Sequence, residues 1–348
     1  MTAQRSPDPW LRRYAKLVCC STFFLIFVGS LVTSTGSGLS VPDWPLSYGM
    51  LFPPMVGGIF YEHGHRMVAA SVGFLTLMMA AWLAFAEQRR WLRNLGFLAL
   101  AAVIAQGLLG GIAVLFLLPT PVSVSHAVLA QTFLLLTIVV AYGLSRERSR
   151  REQHSVDASL ALQRVSVVAL AIIFVQLILG ALMRHTGSGL AIPDFPLTGG
   201  HLVPAFDEPT LARINAMRFD IGLRPVTIGQ VVIHFAHRLG ALFVLLAVAA
   251  LTTVALRSAR TQRRITMTVL ALDLLVVLQV TLGALTVWSR KAPYVTSLHV
   301  LTGALVLGTC MLLVLRSHPV RLTGRPRGAA RSPVPPAVTV SGAYQVPG

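Results

Sequence analysis

Apolar residues fall in eight long runs separated by short polar segments. The runs cover about 17–33, 65–86, 94–117, 123–144, 164–183, 231–256, 265–288 and 294–315. Each is close to the roughly 20 residues a helix needs to cross a bilayer core. Runs of that length read as membrane-spanning helices rather than as strands or soluble core segments. The third and fourth are separated only by a turn at Pro119 and Pro121. The pattern predicts an all-α polytopic membrane protein with eight transmembrane helices.

Composition agrees with that reading. Of 348 residues, 55% are hydrophobic and 12% charged, and the mean hydropathy is +0.71. The net charge of +17 does not indicate nucleic-acid binding, because the basic residues sit in short clusters between apolar runs. Such clusters set topology by the positive-inside rule. Arg12, Arg13 and Lys16, then Arg89, Arg90 and Arg93, then Arg146 to Arg164, then Arg257 to Arg264, and finally Arg316 onward fall on one side. The opposite side carries only Arg184, Arg213, Arg218, Arg224, Arg290 and Lys291, with Arg66 and Arg238 at helix ends. Both termini are therefore expected in the cytoplasm, with the chain in a bacterial cytoplasmic (inner) membrane and lipid as its surroundings. Cys19, Cys20 and Cys310 lie in apolar runs and form no CxxC spacing. A cleaved signal peptide is the rival reading for the first run, but the fifth run resembles it, which favours a retained span.

The chain repeats itself. Thr35-Gly36-Ser37-Gly38-Leu39 and Pro42-Asp43-Trp44-Pro45-Leu46 recur as Thr186-Gly187-Ser188-Gly189-Leu190 and Pro193-Asp194-Phe195-Pro196-Leu197. His65-Arg66 recurs as His237-Arg238, Gln106 to Gly110 as Gln279 to Gly283, and His126 as His299. This is a duplication of a four-span unit. Both units start inside, so they are parallel repeats. The expected organisation is a cytoplasmic N-terminus (1–16), an N-terminal four-helix bundle (17–144), a cytoplasmic linker (145–163) and a C-terminal bundle (164–316). An insertion at 203–229 reads as a surface helix on the outer leaflet or an ordered loop, and 317–348 as a disordered basic, Pro-rich tail. The glycine-rich loops lack any P-loop or dinucleotide context and read as caps on each bundle.

Ionisable side chains at membrane depth are costly and mark functional sites. His65, His126, His237 and His299 each fall at the outer end of an even-numbered span, two per bundle. Facing imidazoles from two helices of one bundle suit the two axial positions of a haem iron. Zinc is the competing ligand, but neither half supplies the Cys or carboxylate set of a tetrahedral site. The halves differ three residues earlier, where Glu62 precedes His65 but His234 precedes His237. Positions i and i+3 share a helix face, so Glu62 is placed over the His65 pocket; the plainer reading is a helix-start acid favoured by the dipole. His63 is expected to point aside as an interfacial residue. Arg66 and Arg238 are placed to meet haem propionates or Asp43 and Asp194 of the capping loops. Asp273, mid-span, is either part of a proton path or a hydrogen-bonded structural acid.

Taken together, Glu62-His63-Gly64-His65-Arg66, His126, His237, His299 and the TGSGL…PDWP loop resemble the haem A synthase family over nearly all of the eight-span region. The resemblance implies oxidation of the C8 methyl of haem O to a formyl group, for use in terminal oxidases. It implies His65 and His126 as ligands of the substrate haem, Glu62 as the catalytic carboxylate, and His237 and His299 as ligands of a haem b cofactor. Haem O synthase, an electron donor and a second copy of the chain are the candidate partners. Some members carry a cysteine pair in the first outer loop; here that loop has none, so it has no thiol–disulfide role. The rival function is a non-enzymatic di-haem b electron carrier, which leaves the Glu62/His234 difference unexplained and would hold both haems near one face. A transporter would show midplane charges, and a prenyl transferase would need acid-rich loops for magnesium diphosphate.

Overall fold

The computed structural model describes residues 8–153, 158–257 and 262–318. It contains ten α-helices among them: α1 (Pro9–Ser34), α2 (Gly57–Ala86), α3 (Arg90–Leu115), α4 (Thr120–Gly143), α5 (Arg146–Gln153), α6 (Leu160–His185), α7 (Glu208–Asp220), α8 (Ile228–Arg257), α9 (Arg263–Trp288) and α10 (Pro293–Ser317). Eight are long and apolar enough to cross a membrane; α5 and α7 are the exceptions. The protein is an all-α polytopic membrane protein.

The spanning helices are longer than the apolar runs. α2 and α8 have 30 residues each, about 45 Å at 1.5 Å per residue, against a hydrocarbon core of roughly 30 Å. The hydropathy pattern alone starts α2 at His65, but the helix begins at Gly57. Polar residues at a membrane surface do not interrupt backbone hydrogen bonding, so the helix continues through them. The histidines are consequently not at the helix ends: His65 and His237 lie roughly two turns below the outer ends of α2 and α8.

Helix starts follow local chemistry. The Asp8 side chain accepts from Trp10 N at 2.8 Å beside Pro9, and Asp207 caps α7 through Thr210 N at 2.9 Å. α4 and α10 both begin with proline in the first turn, where its missing N–H has no intrahelical role.

Neighbouring helices pack α1 on α2, α3 on α4, α6 on α8 and α9 on α10, and the halves meet where α10 and α6 touch α1 and α4. Lipid is as apolar as leucine, so close approach through small residues drives this packing. Gly308 of α10, for example, lies against Ile138 of α4 and Phe23 of α1. Polar contacts join the halves as well: Arg184 Nη2 donates to Ser30 O (2.6 Å) and Ser34 Oγ (2.8 Å).

Between spans, α5 carries Glu147, which holds Arg316 of α10 and Arg264 of α9, each at 2.9 Å. The 203–229 insertion contains α7, and its Ile214, with Val226, packs on Ala191 and Ile192 of the second capping loop. Residues 319–348, nearly all of the predicted disordered tail, lie outside the described residues. Asp273 accepts from Thr252 Oγ1 of α8 at 2.8 Å. Cys19, Cys20 and Cys310 are free.

Candidate functional site

The two capping loops are built alike. The carboxylate of Asp43 accepts from Tyr48 N (2.7 Å) and Gly49 N (2.8 Å), and that of Asp194 accepts from Gly199 N and Gly200 N (both 2.9 Å). The donated N–H groups of Gly49 and Tyr48 hold the Asp43 carboxyl below the usual carboxylate range. Each turn closes with a short bridge, Ser47 to Met50 and Thr198 to His201.

Arginine fastens each loop to its helix. Arg66 Nη1 donates to Asp43 O and Leu46 O, both at 2.7 Å, and Nη2 to Val41 O at 3.2 Å. Arg238 donates to Leu197 O (2.7 Å), Ile192 O (3.2 Å) and Asp194 O (2.7 Å). The partners are backbone carbonyls; the Asp43 and Asp194 carboxylates are engaged in their own turns. This arrangement was not legible in the sequence, because carbonyl acceptors leave no residue-type signature.

The residue three positions before each first histidine completes the fastening. Glu62 is 3% exposed; its Oε2 accepts from Val41 N at 2.9 Å and its Oε1 from Arg66 Nη2 at 2.7 Å. His234, also 3% exposed, meets Ile192 N through Nδ1 at 3.1 Å and Arg238 Nε through Nε2 at 3.3 Å. A carboxylate and an imidazole thus occupy one structural position with the same two partners. His63 is not interfacial: it is buried, with Nδ1 2.8 Å from Ser47 Oγ. The loop folds over it, which helix-face geometry alone does not reveal.

Each of the four repeated histidines faces a glycine on the neighbouring helix. A methyl group on Gly29 of α1 would lie 2.8 Å from His65 Cε1, and one on Gly110 of α3 would lie 3.3 Å from His126 Cε1. In the second half, Gly180 of α6 and Gly283 of α9 stand 3.1 Å from His237 Cε1 and 3.2 Å from His299 Cε1 on the same measure. Three of these glycines follow a glutamine by four residues: Gln106, Gln176 and Gln279; in α1 the place is held by Leu25. The repeat revealed Gln106/Gly110 and Gln279/Gly283. Gln176/Gly180 shares their spacing and was missed, as was Gly29, whose glutamine is absent.

The ring environments differ between halves. The Nδ1 atoms of His65 and His126 are buried without a hydrogen-bond partner; Gln106 Nε2 reaches only the backbone His126 O, at 2.9 Å. In the second half, Gln176 Nε2 lies 2.8 Å from His237 O and 3.2 Å from its Nδ1. His299 Nδ1 lies 3.2 Å from Gln279 O, and its Nε2 lies 3.4 Å from Gln279 Nε2.

These features fit a porphyrin-held metal. The His237 and His299 ring centroids are 6.5 Å apart, and two imidazoles bonded at ~2 Å on opposite sides of one metal ion have centroids ~6 Å apart. Among the described residues, no group of three or more His, Cys, Asp or Glu is placed to hold a metal. Two imidazoles therefore require the guest itself to supply the remaining donors, as a porphyrin does. In the first half, the unpartnered buried Nδ1 atoms and the glycine-cupped rings are compatible with the same guest.

Fold and site define a class: a polytopic helical membrane protein with a duplicated pair of histidines whose surroundings fit a haem. Comparison with known proteins narrows it. The sequence matches the cytochrome oxidase assembly protein family over residues 12–57 and 56–311, and the chain belongs to that family. It is 27% identical to the "Heme A synthase" of Halalkalibacterium halodurans over 316 residues, 88% of this chain and 96% of that protein. The corresponding protein of Geobacillus kaustophilus is 27% identical over 336 residues, 92% and 97% of the two chains. That of Symbiobacterium thermophilum is 31% identical over 219 residues, 61% and 65%.

Proposed function

We infer that this chain is a haem A synthase, an oxidoreductase that converts the C8 methyl of haem O to the formyl group of haem A. Two successive oxidations of the methyl carbon and loss of water account for the change. Family membership supports the activity. The observation that carries the assignment of roles is the difference in acid between the two corresponding sites: Glu62 in the first half, His234 in the second.

On this reading the N-terminal bundle, 17–144, takes the substrate. His65 and His126 bind haem O from opposite sides, and Gly29 and Gly110 leave room for their rings. Glu62 stands one turn from His65 on α2. Both its oxygens accept a hydrogen bond, and each keeps a further lone pair. It is the group placed to take up a proton from, or stabilise positive charge at, the substrate carbon. The C-terminal bundle, 164–316, holds haem b through His237 and His299. Haem b supplies one-electron redox chemistry when bound. Arg66 and Arg238 act by holding the capping loops over the two sites, which limits water entry from the outer face.

The clusters of Arg on the α2–α3, α4–α6 and α8–α9 connections support a bacterial inner-membrane location with both termini in the cytoplasm. An electron donor and haem O synthase are the partners this reaction calls for.

The ligand assignment is tested by haem content. Purified wild-type chain is expected to carry haem b, and haem O when the host makes it. His237→Ala and His299→Ala should lose haem b and retain haem O; His65→Ala and His126→Ala should do the reverse. Loss of both haems in equal measure from all four folded variants would contradict the division of labour between halves.

A further inference from the structure

We propose that Arg184 and Lys291 hold the propionate carboxylates of the haem bound by the C-terminal half. The inference rests on the reading that His237 and His299 bind that haem.

A haem brings two carboxylates, and the arginines that follow the ligand histidines are already committed to loop carbonyls. Arg184 is not. It lies one turn outward of Gly180, the α6 residue that faces His237. Its Nη2 donates to Ser30 O and Ser34 Oγ of α1; its Nε and Nη1 have no acceptor among the described residues. Ser34 Oγ also accepts from Ser297 Oγ at 3.0 Å, and Ser297 precedes His299 by two residues on α10. The guanidinium therefore stands where α1, α6 and α10 meet, outward of both imidazoles.

Lys291 comes from the turn between α9 and α10, which repeats the turn between α3 and α4. Leu117, Leu118, Arg290 and Lys291 all have positive φ, between 52° and 65°. Leu118 Cδ1 lies 3.3 Å from a methyl built on Gly38, and Lys291 Cδ lies 3.5 Å from one built on the matching Gly189. The stem of Lys291 thus takes the place of Leu118 against the capping loop and carries an ammonium beyond it. Partial burial, and then the nearby Arg184 and Arg218 guanidiniums, hold that ammonium below its ordinary range.

Among the described residues no carboxylate pairs with Arg184 or Lys291. Cations gathered in a partly buried setting repel one another until an anion joins them. The first half has Thr33 where the second has Arg184, and Leu118 where the second has Lys291. The cation pair belongs to the C-terminal site alone.

The test uses the full-length chain purified in detergent with its haem b. Release of haem b to excess apomyoglobin is timed, and the propionate bending band of the resonance Raman spectrum is recorded in parallel. Arg184→Gln and Lys291→Gln should each release haem b roughly 10- to 100-fold faster than wild type, the worth of one charge-assisted hydrogen bond, and shift the propionate band. Arg184→Lys and Lys291→Arg, which keep the charge, should restore much of both readouts. Lys291 lies in a turn outside the helices, so its variants serve if Arg184→Gln, which also unties α6 from α1, does not fold. An unmoved propionate band in both glutamine variants would overturn the proposal, whatever the release rate. Loss of co-purified anionic lipid from those variants with that band unmoved would assign the cations to a lipid phosphate instead. If His237→Ala and His299→Ala hold haem b as firmly as wild type, the underlying ligand assignment fails and this proposal with it.

Discussion

Glu62 and His234 hold the same place with the same partners, a loop N–H and an arginine one turn on. The fastening of the loop therefore tolerates either side chain, and the carboxylate is the part of Glu62 that structure does not require. Glu62→His should fold, keep both haems and make no haem A, because it copies the second half's fastening without an acid. Glu62→Gln should behave likewise. Haem extraction with a thermal melt of each variant checks this; haem A at wild-type yield from Glu62→His would remove Glu62 from the chemistry. Arg66 is the opposite case. Its removal strands a buried carboxylate and three loop carbonyls, a loss of about 3 kcal/mol, so Arg66→Leu should lower the melting temperature of the detergent-solubilised chain and lose haem O with it. At this scale the sequence was informative where spacing along one helix decides, as for Glu62 and His65. It was silent where the partner lies far along the chain, as Val41 does from Glu62, and it misplaced His63, whose burial depends on the folded loop.

At the scale of elements, each ligand helix is paired with a helix that offers a glycine to its imidazole. Gly29→Ala puts a methyl 2.8 Å from His65 Cε1, closer than the two groups can sit, so His65 must turn. The variant should retain haem b, bind haem O more weakly by roughly 10-fold, and lose haem A yield; unchanged haem O content would show that α1 yields instead. The capping loops carry a pH signature. Asp43 titrates below its unfolded value because Gly49 and Tyr48 donate to its charged form, so its stabilisation of the loop is present above the unfolded pKa and lost as pH falls through the folded one. Cleavage of the 36–56 loop by an acid-tolerant protease should therefore rise as pH drops below about 4, and Asp43→Asn should remove that dependence. The repeat in the sequence foretold two matching loops. It did not foretell that their acids close their own turns while the arginines take backbone carbonyls.

Across the whole molecule, eight spans were readable because apolar runs of bilayer length are hard to mistake, and the duplication was readable because its loop motifs are rare. Helix ends were not: polar residues at the surface extend α1 and α2 well past the apolar runs, and the extension of α2 places His65 inward from where hydropathy alone puts it. The joining of the halves was equally hidden, resting on contacts such as Arg184 with Ser30 and Ser34 between positions with no sequence link. Glu147 binds α5 to α9 and α10, and its carboxylate, mostly shielded, is shared by two arginines. Glu147→Gln should cost ~1 kcal/mol, seen as a lower melting temperature with haem content unchanged.

The measurement that bears most directly on the account is conversion of haem O in a host that makes haem O and no haem A. Extracted haems from cells expressing this chain, separated by chromatography, should show haem A, and the peak should vanish with Glu62→Gln while haem b and haem O stay bound. Haem O left unconverted by a wild-type chain that is folded, loaded with haem b and supplied with reductant would contradict it.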